Sequence, residues 1–430
     1  MLVVISDLHF TDGTTSNWKG QTDQFNVNPK AFQLLFGTVC SLVRRRDTKI
    51  DKVTFVYNGD IFDPLRTYEW FAIAEAHRPW AVPLNKRQTC AHSHAILQKI
   101  VAHNDEALRW LSGTHADFTK VWEADAEITR VYVPGNHDRL VNLYTPSRKL
   151  VRERLLGEPS PAASAKFANQ YSDTRHETVV MHGHEAHAYN CELDANNKPA
   201  YEAVPIGDPM TTMLFARLGY EMGEQPGIPA EAVARFRDLD NVRPQLAGLR
   251  YVQNIIADFH LGRKTDKLIK GVVDDFEQLP FYGQWRKQHD RWGSDEADDL
   301  QHVLLAIRLL GTYMPAGALE RVAAFFTSDS YEKWARKTLQ AGSNSNMRYC
   351  VLGHTHEPLH VPLCVDRARG VEQHYFNCGT FRTTFSSTFD GQHFSRSQRM
   401  AFVVIYGPGE FDKNLDSPAY EMWSGLRLEH

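Results

Sequence analysis

Five short apolar runs in this 430-residue chain each end in a cluster of Asp, Asn or His, and that recurrence constrains the fold more than any other feature. The runs are Leu2 to Ile5, Val53 to Tyr57, Ile128 to Val133, Thr178 to Met181 and Arg348 to Leu352. Each is rich in β-branched or aromatic residues, has strand length, and is closed by Gly or a polar residue, which predicts buried strands. The clusters that follow are Asp7-Leu8-His9, Gly59-Asp60, Gly135-Asn136-His137-Asp138, His182-Gly183-His184 and Gly353-His354-Thr355-His356. If the five strands lie side by side in one buried sheet, their carboxyl ends meet along one edge, where open α/β sheets place their ligands. Residues far apart in sequence then share one pocket.

The intervening segments read as helices and loops. A polar loop from Thr11 to Asn28 follows the first cluster and is placed to cover the site, and Pro29 marks a helix start. The run Arg44-Arg45-Arg46 falls at the end of the helix over Phe32 to Val43, where cations complement the helix dipole. The stretch of about 65–125 is helical in pattern, with Ile96, Leu97, Ile100, Val101, Ala107, Leu108 and Leu111 at near-helical spacing. Residues 186–345 carry helical candidates at Met210 to Glu224, Glu231 to Phe236, Pro244 to Phe259, Asp295 to Leu310 and Ala316 to Phe326, with no recurring strand pattern. They are expected to form a helical cap inserted into a core domain of residues 1–185 and 346–427. The apolar stripe Met213, Leu214, Leu218 and Met222 reads as core. Gly262-Arg263-Lys264-Thr265 lacks the upstream glycine and strand of a P-loop and reads as a helix terminus. After the last cluster, His374 to Asn377 and Met400 to Tyr406 return to strand pattern and are expected to complete a second sheet.

Composition narrows the function classes. A formal net charge of -4 provides no general attraction to nucleic acid. No uncharged apolar run reaches the roughly 18 residues of a membrane span. The first strand begins at Met1, which leaves no room for a signal peptide, and a cytoplasmic location is expected. Six scattered cysteines, without a C-x-x-C pair, argue against structural zinc and a disulfide framework. Leu428-Glu429-His430 resembles the start of a histidine tag, so residues 428–430 are set aside.

A mixed Asp/Asn/His ligand set suits first-row metals, Mn, Fe or Zn, over Ca. Taken singly, each cluster is compatible with an ordinary turn; their order behind five strand-like runs carries the weight. That order resembles the calcineurin-like metallophosphoesterase superfamily, whose motifs are D-x-H, G-D-x-x-D, G-N-H-D/E, H and G-H-x-H. Here they correspond to Asp7/His9, Asp60/Asp63, Asn136/His137/Asp138, His182 and His354/His356. The resemblance covers roughly residues 1 to 185 and 347 to 406.

The resemblance implies a four-layer α-β-β-α sandwich, two packed mixed sheets flanked by helices, with large helical insertions. It implies two divalent metal ions, Mn foremost, with Asp7, His9 and His356 on one, Asn136, His182 and His354 on the other, and Asp60 bridging. It implies hydrolysis of a phosphomonoester, phosphodiester or pyrophosphate by a metal-bridging hydroxide. His137 is the implied catalytic group, Asp138 its orienting partner, and Asp63 a supporting residue. His184 is a candidate pocket-lining residue, and His360 and Arg382 are candidates for contact with substrate phosphate. The expected partner is a phosphorylated small molecule or nucleotide. Two alternatives stand beside this reading: a nuclease of the same superfamily, which the acidic balance disfavours, and an inactive phosphoesterase-fold scaffold that binds a protein.

Overall fold

Alternation along the first strand sets the layering. In β1 (Leu2–Ile5), Leu2 and Val4 point into one apolar cluster while Val3 and Ile5 point into another, as a period of two requires. All four are fully buried, and each such burial contributes about 1.5–3 kcal/mol. The computed structural model describes residues 1–430 except 16–26, 46–48, 159–164, 244–246, 291–295, 309–328, 367–370, 389–392 and 428–430. Most of the polar loop after the first cluster, Arg46, Pro244, the helical candidate Ala316 to Phe326 and the tag-like residues lie outside the described residues.

The protein is α/β, with two mixed sheets. The other strands are β2 (Lys52–Asn58), β3 (Glu127–Val133), β4 (Gln170–Asp173), β5 (Thr178–Met181), β6 (Val242–Arg243), β7 (Tyr349–Leu352), β8 (Pro358–Asp366), β9 (Val371–Cys378), β10 (Thr383–Ser387), β11 (Phe394–Tyr406) and β12 (Ala419–Arg427). The first sheet has the order β3-β2-β1-β11-β10-β6, with β12 also on β11. Its strands β1, β2 and β3 are parallel, and β11 runs antiparallel to β1 with Val3 opposite Val404. The second sheet has the order β4-β5-β7-β9-β8, parallel at its centre and antiparallel at both edges.

Two expectations are corrected here. The five motif-bearing strands do not share one sheet: β1, β2 and β3 belong to the first, and β5 and β7 to the second. The Met400 to Tyr406 run does not complete the second sheet, because β11 lies beside β1 in the first. The physical reason is common to both. A strand buried on both faces is apolar throughout, so its sequence carries no mark of which sheet it joins.

Leu2, Val4, Val56, Val133, Val403 and Ile405 of the first sheet meet Val180, Tyr349, Val351, Phe376 and Cys378 of the second in one cluster, so the sheets pack face to face. The far side of the first sheet is covered by the helix Pro29–Arg44 through Phe32, Leu35, Phe36 and Val39. That helix starts with Asn28 accepting from Lys30 N and Pro29 at its first position. The far side of the second sheet, at Val179, Met181, Cys350 and Leu352, is covered by Ala335 and Leu339 of the helix Asp329–Gln340. Both belong to residues 186–345, as does β6, the short strand that pairs with β10. The remaining described helices of that stretch, among them Arg217–Glu224, Ala247–Asp258, Gly262–Glu277 and Glu296–Arg308, share one apolar cluster with the outer face of the first sheet. No described helix is long and apolar enough to cross a membrane, and the six cysteines are free.

Candidate metal centre

Every cluster begins one to three residues beyond a strand: Asp7 after β1, Asp60 after β2, Asn136 after β3, His182 after β5 and His354 after β7. Because the two sheets pack face to face, these carboxyl ends converge from both. The loops after β1 and β2 continue side by side, with Asp7 N donating to Gly59 O (3.0 Å), His9 N to Asp60 O (2.8 Å) and Phe10 N to Ile61 O (2.9 Å). Eight described non-glycine residues have left-handed backbone, and five of them are Asp7, His9, Asp60, His354 and His356. Such conformations cost about 1–3 kcal/mol each and persist where the surroundings over-determine them, typically at functional sites.

Two acid–imidazole groups result. Asp7, His9 and His356 form one and Asp60, His182 and His354 the other, each able to hold a metal ion. In the first, His9 Nε2 and His356 Nε2 lie 3.0 Å apart and Asp7 Oδ1 lies 3.7 and 3.4 Å from them. In the second, His182 Nε2 is 3.0 Å from Asp60 Oδ2, and the same oxygen is 3.6 Å from His9 Nε2. Asp60 Oδ2 therefore stands between the groups. The other oxygen of each carboxylate is held by the backbone: Asp7 Oδ2 accepts from His354 N (2.9 Å) and Asp60 Oδ1 from His137 N (2.9 Å).

The glycines make this proximity feasible. A Cβ on Gly353 would stand 2.6 Å from Asp7 Oδ2, and one on Gly135 would stand 2.2 Å from Asp60 Oδ1.

Ring orientation is set from behind. His182 Nδ1 donates to Asn58 O (3.0 Å), and His9 Nδ1 donates to Asp63 Oδ2 (2.9 Å), so both present Nε2 to the centre. Asp63 also accepts from His137 Nδ1 (2.8 Å), so one carboxylate holds two rings. His9, Asp63 and His137 form a third group of metal-capable atoms, but these atoms are already satisfied by one another as hydrogen bonds.

The charges follow the geometry. Burial disfavours the charged ring of His182, yet Asp60 and Asp7 push it up to about 10. Burial likewise opposes charge on His137, and Asp63 and Asp60 push it up to about 10. Burial and then Arg243 bring His356 down to about 3. Asp7 and Asp60 lie below the usual carboxylate range because His182 outweighs their burial together with the other rings.

The donor set fits divalent cations. Among the described residues, Asp7 Oδ1 and Asn136 Oδ1 are buried without a hydrogen-bond partner, and buried polar atoms ordinarily have one. Carboxylate and amide oxygen combined with imidazole nitrogen is a first-row metal set.

Three candidate residues sit differently from their expected roles. Asp138 does not touch His137: its carboxylate accepts from Ile61 N (3.1 Å), Phe62 N (2.9 Å) and Gly135 N (3.3 Å), and so ties the β3 loop to the β2 loop. Asp63 orients His137 instead. His360 is remote from the cavity, because it lies opposite Phe376 on β8, stacks on that ring and bonds His374 Nδ1 (3.0 Å). Arg382 is 1% exposed and faces Asp240 at 3.9 Å, behind the cavity wall. His184 is buried beside His182 and Tyr201 and lines a second, polar cavity.

Residues 186–345 supply side chains that no motif announced. Arg243 of β6 donates through Nη2 to His356 Nδ1 (2.5 Å). An imidazole that ligates through Nε2 carries its proton on Nδ1, so ligation by His356 requires Arg243 to withdraw. Asn190 Nδ2 reaches His354 Nε2 (3.0 Å). Asp240, paired with Arg66 at 3.0 Å, lines the same cavity as Arg243. Asn241-Val242-Arg243 lies between helices without a recognisable pattern, so only spatial proximity identifies it.

Two cavities open on the centre. One of about 290 Å³ is lined by His9, Asp60, His137 and His356 and by residues of the helices within 186–345. The other, of about 400 Å³, is lined by Asn136, Arg139, Lys166, His184, Tyr201 and Glu202 among others. No protein-family model matches this chain, and no curated protein sequence matches it either.

Proposed function

We propose that the protein is a dinuclear-metal-dependent phosphoesterase and that its layered sheets are the metallophosphoesterase sandwich. The observation that carries this reading is Asp60 Oδ2, placed between two acid–imidazole groups that each draw residues from both sheets. A pair of dications roughly 3.5–4 Å apart needs such a shared carboxylate. Asp7, His9 and His356 would hold one ion, and His182, His354 and Asn136 the other. Manganese is the first candidate, with iron or zinc next. When bound, the ions supply an activated water and neutralise charge on the phosphoryl group.

The chain's own groups then divide the work. Asp63 keeps His137 charged and aimed, so that this ring donates to a phosphoryl oxygen or to the leaving group. Arg243, once free of His356, turns its guanidinium to the same oxygens, which suits its paired N–H geometry. Asn58 and Asp63 hold the protons of His182 and His9 on the far side of each ring, leaving the near nitrogens open.

The test is metal-stripped protein reloaded with Mn and assayed on p-nitrophenyl phosphate and bis-p-nitrophenyl phosphate. Metal-dependent release from at least one is expected, and His137→Ala should reduce it about 10²–10⁴-fold with metal content unchanged. Absence of release from both across pH, or full activity in His137→Ala, would overturn the assignment.

A further inference from the structure

We infer that the substrate is a phosphate ester carrying one alkyl or acyl chain, and that the chain occupies the cavity inside the inserted helices. This rests on the phosphoesterase reading for the position of the phosphate and on the cavity for the chain. At the metal end the walls are His9, Asp60, His137 and Arg243; beyond them they become Leu214, Leu218, Val252, Ile269, Val272 and Ile307. All four residues of the stripe expected as core are buried in one apolar cluster, and Leu214 and Leu218 also line the cavity.

A cavity of about 290 Å³ is roughly twice the ~150 Å³ apolar space that stays dry and admits benzene. An apolar space continuous with a polar reaction centre selects a molecule that is polar at one end and apolar along its length. Orientation follows from the other cavity, whose lining includes the charged side chains Arg139, Lys166 and Glu202. The hydrophilic remainder of the ester faces that side and the chain faces the inserted helices. In the reaction a water oxygen bonds to phosphorus, the P–O bond breaks, and the water's proton ends on the departing oxygen, giving an alcohol and a phosphate.

The experiment measures binding and turnover of hexyl, octyl, decyl and dodecyl phosphate by Mn-loaded protein, below their micelle concentrations. Affinity should rise about fourfold per added methylene and level off near roughly ten carbons, when the cavity is full. Leu249→Trp, a half-buried wall residue, should move the levelling point to shorter chains, and Val252→Ala to longer ones. Hydrolysis of all four at equal affinity overturns the chain inference and leaves the phosphoesterase reading intact. Length-dependent binding without hydrolysis does the reverse. If Leu249→Trp fails to fold, the wild-type length series and Val252→Ala still decide: a flat series overturns the inference.

Discussion

Replacing Gly353 by Ala should separate the metal centre from the fold that carries it. The added Cβ would stand 2.6 Å from Asp7 Oδ2, 2.7 Å from Ser6 Oγ and 2.8 Å from Ser6 Cβ, where ordinary contact begins at 3.4 Å. The obstruction includes the rigid Ser6 Cβ, so β1 and β7 must part by roughly half an ångström or more, a strain of about 1–3 kcal/mol. Asp7 Oδ2 would also lose its hydrogen bond from His354 N, which links one acid–imidazole group to the other. Stability should fall by that amount in urea denaturation, and Mn affinity by at least about tenfold in calorimetric titration. The second effect is the discriminating one, because general destabilisation of a still-folded protein leaves its metal affinity intact. A Gly353→Ala protein with unaltered Mn affinity would refute the placement of Asp7 and His354 in one centre.

Gly271→Ala provides the opposite sign: it lies exposed in the helix Gly262–Glu277 with nothing near the new Cβ. It should stabilise by about 0.5–1 kcal/mol in urea; destabilisation would contradict the helix. Asp63→Asn should weaken Mn binding about 10–100-fold and lower turnover, because the amide loses the charge that holds both His9 and His137; equal affinity in calorimetry would exclude that role. Saturating Mn at about 100 times its dissociation constant should add about 2.7 kcal/mol to unfolding, reversed by a chelator; an unchanged denaturation curve would argue against a site in the folded state. Glu410 is buried against His176, Arg175 and the Met1 ammonium. Burial favours its protonated form, but His176 and the ammonium outweigh it and bring the group from 4.5 down to about 2. Its contribution, about 3 kcal/mol, is therefore complete above pH 4.5 and lost as pH falls toward 2. Glu410→Gln should flatten the acid denaturation profile over that window; an unchanged profile would refute the ion pairs.

Much of the local structure was legible because its signals are local. β1 and β5 have the bounds read from the chain, β3 and β7 differ by one residue at one end and β2 by one at each end, and helices stand at Met210 to Glu224 and at Asn28-Pro29. Other strands were not: β8, β10 and β12 mix polar and apolar residues and take their form from the strands beside them. The ligand clusters were visible for a similar reason, since a glycine or a chemistry-bearing residue directly after a strand is a feature of adjacent positions. Asp138 illustrates the limit. Its neighbour His137 suggested a partner one residue away, whereas three backbone N–H groups, two of them from the β2 loop, compete for the carboxylate and hold it.

The chain alone determined which segments are strands, which residues follow them and what chemistry those residues favour, because side-chain period and backbone permissiveness act over a few positions. Only the tertiary structure decided that the strands divide between two sheets, that His9 meets His356, and that Asp60 stands between the two groups. It also decided that Arg243 reaches the centre and that an apolar cavity opens beside it. These depend on contacts between positions hundreds of residues apart, set by packing that no single segment encodes.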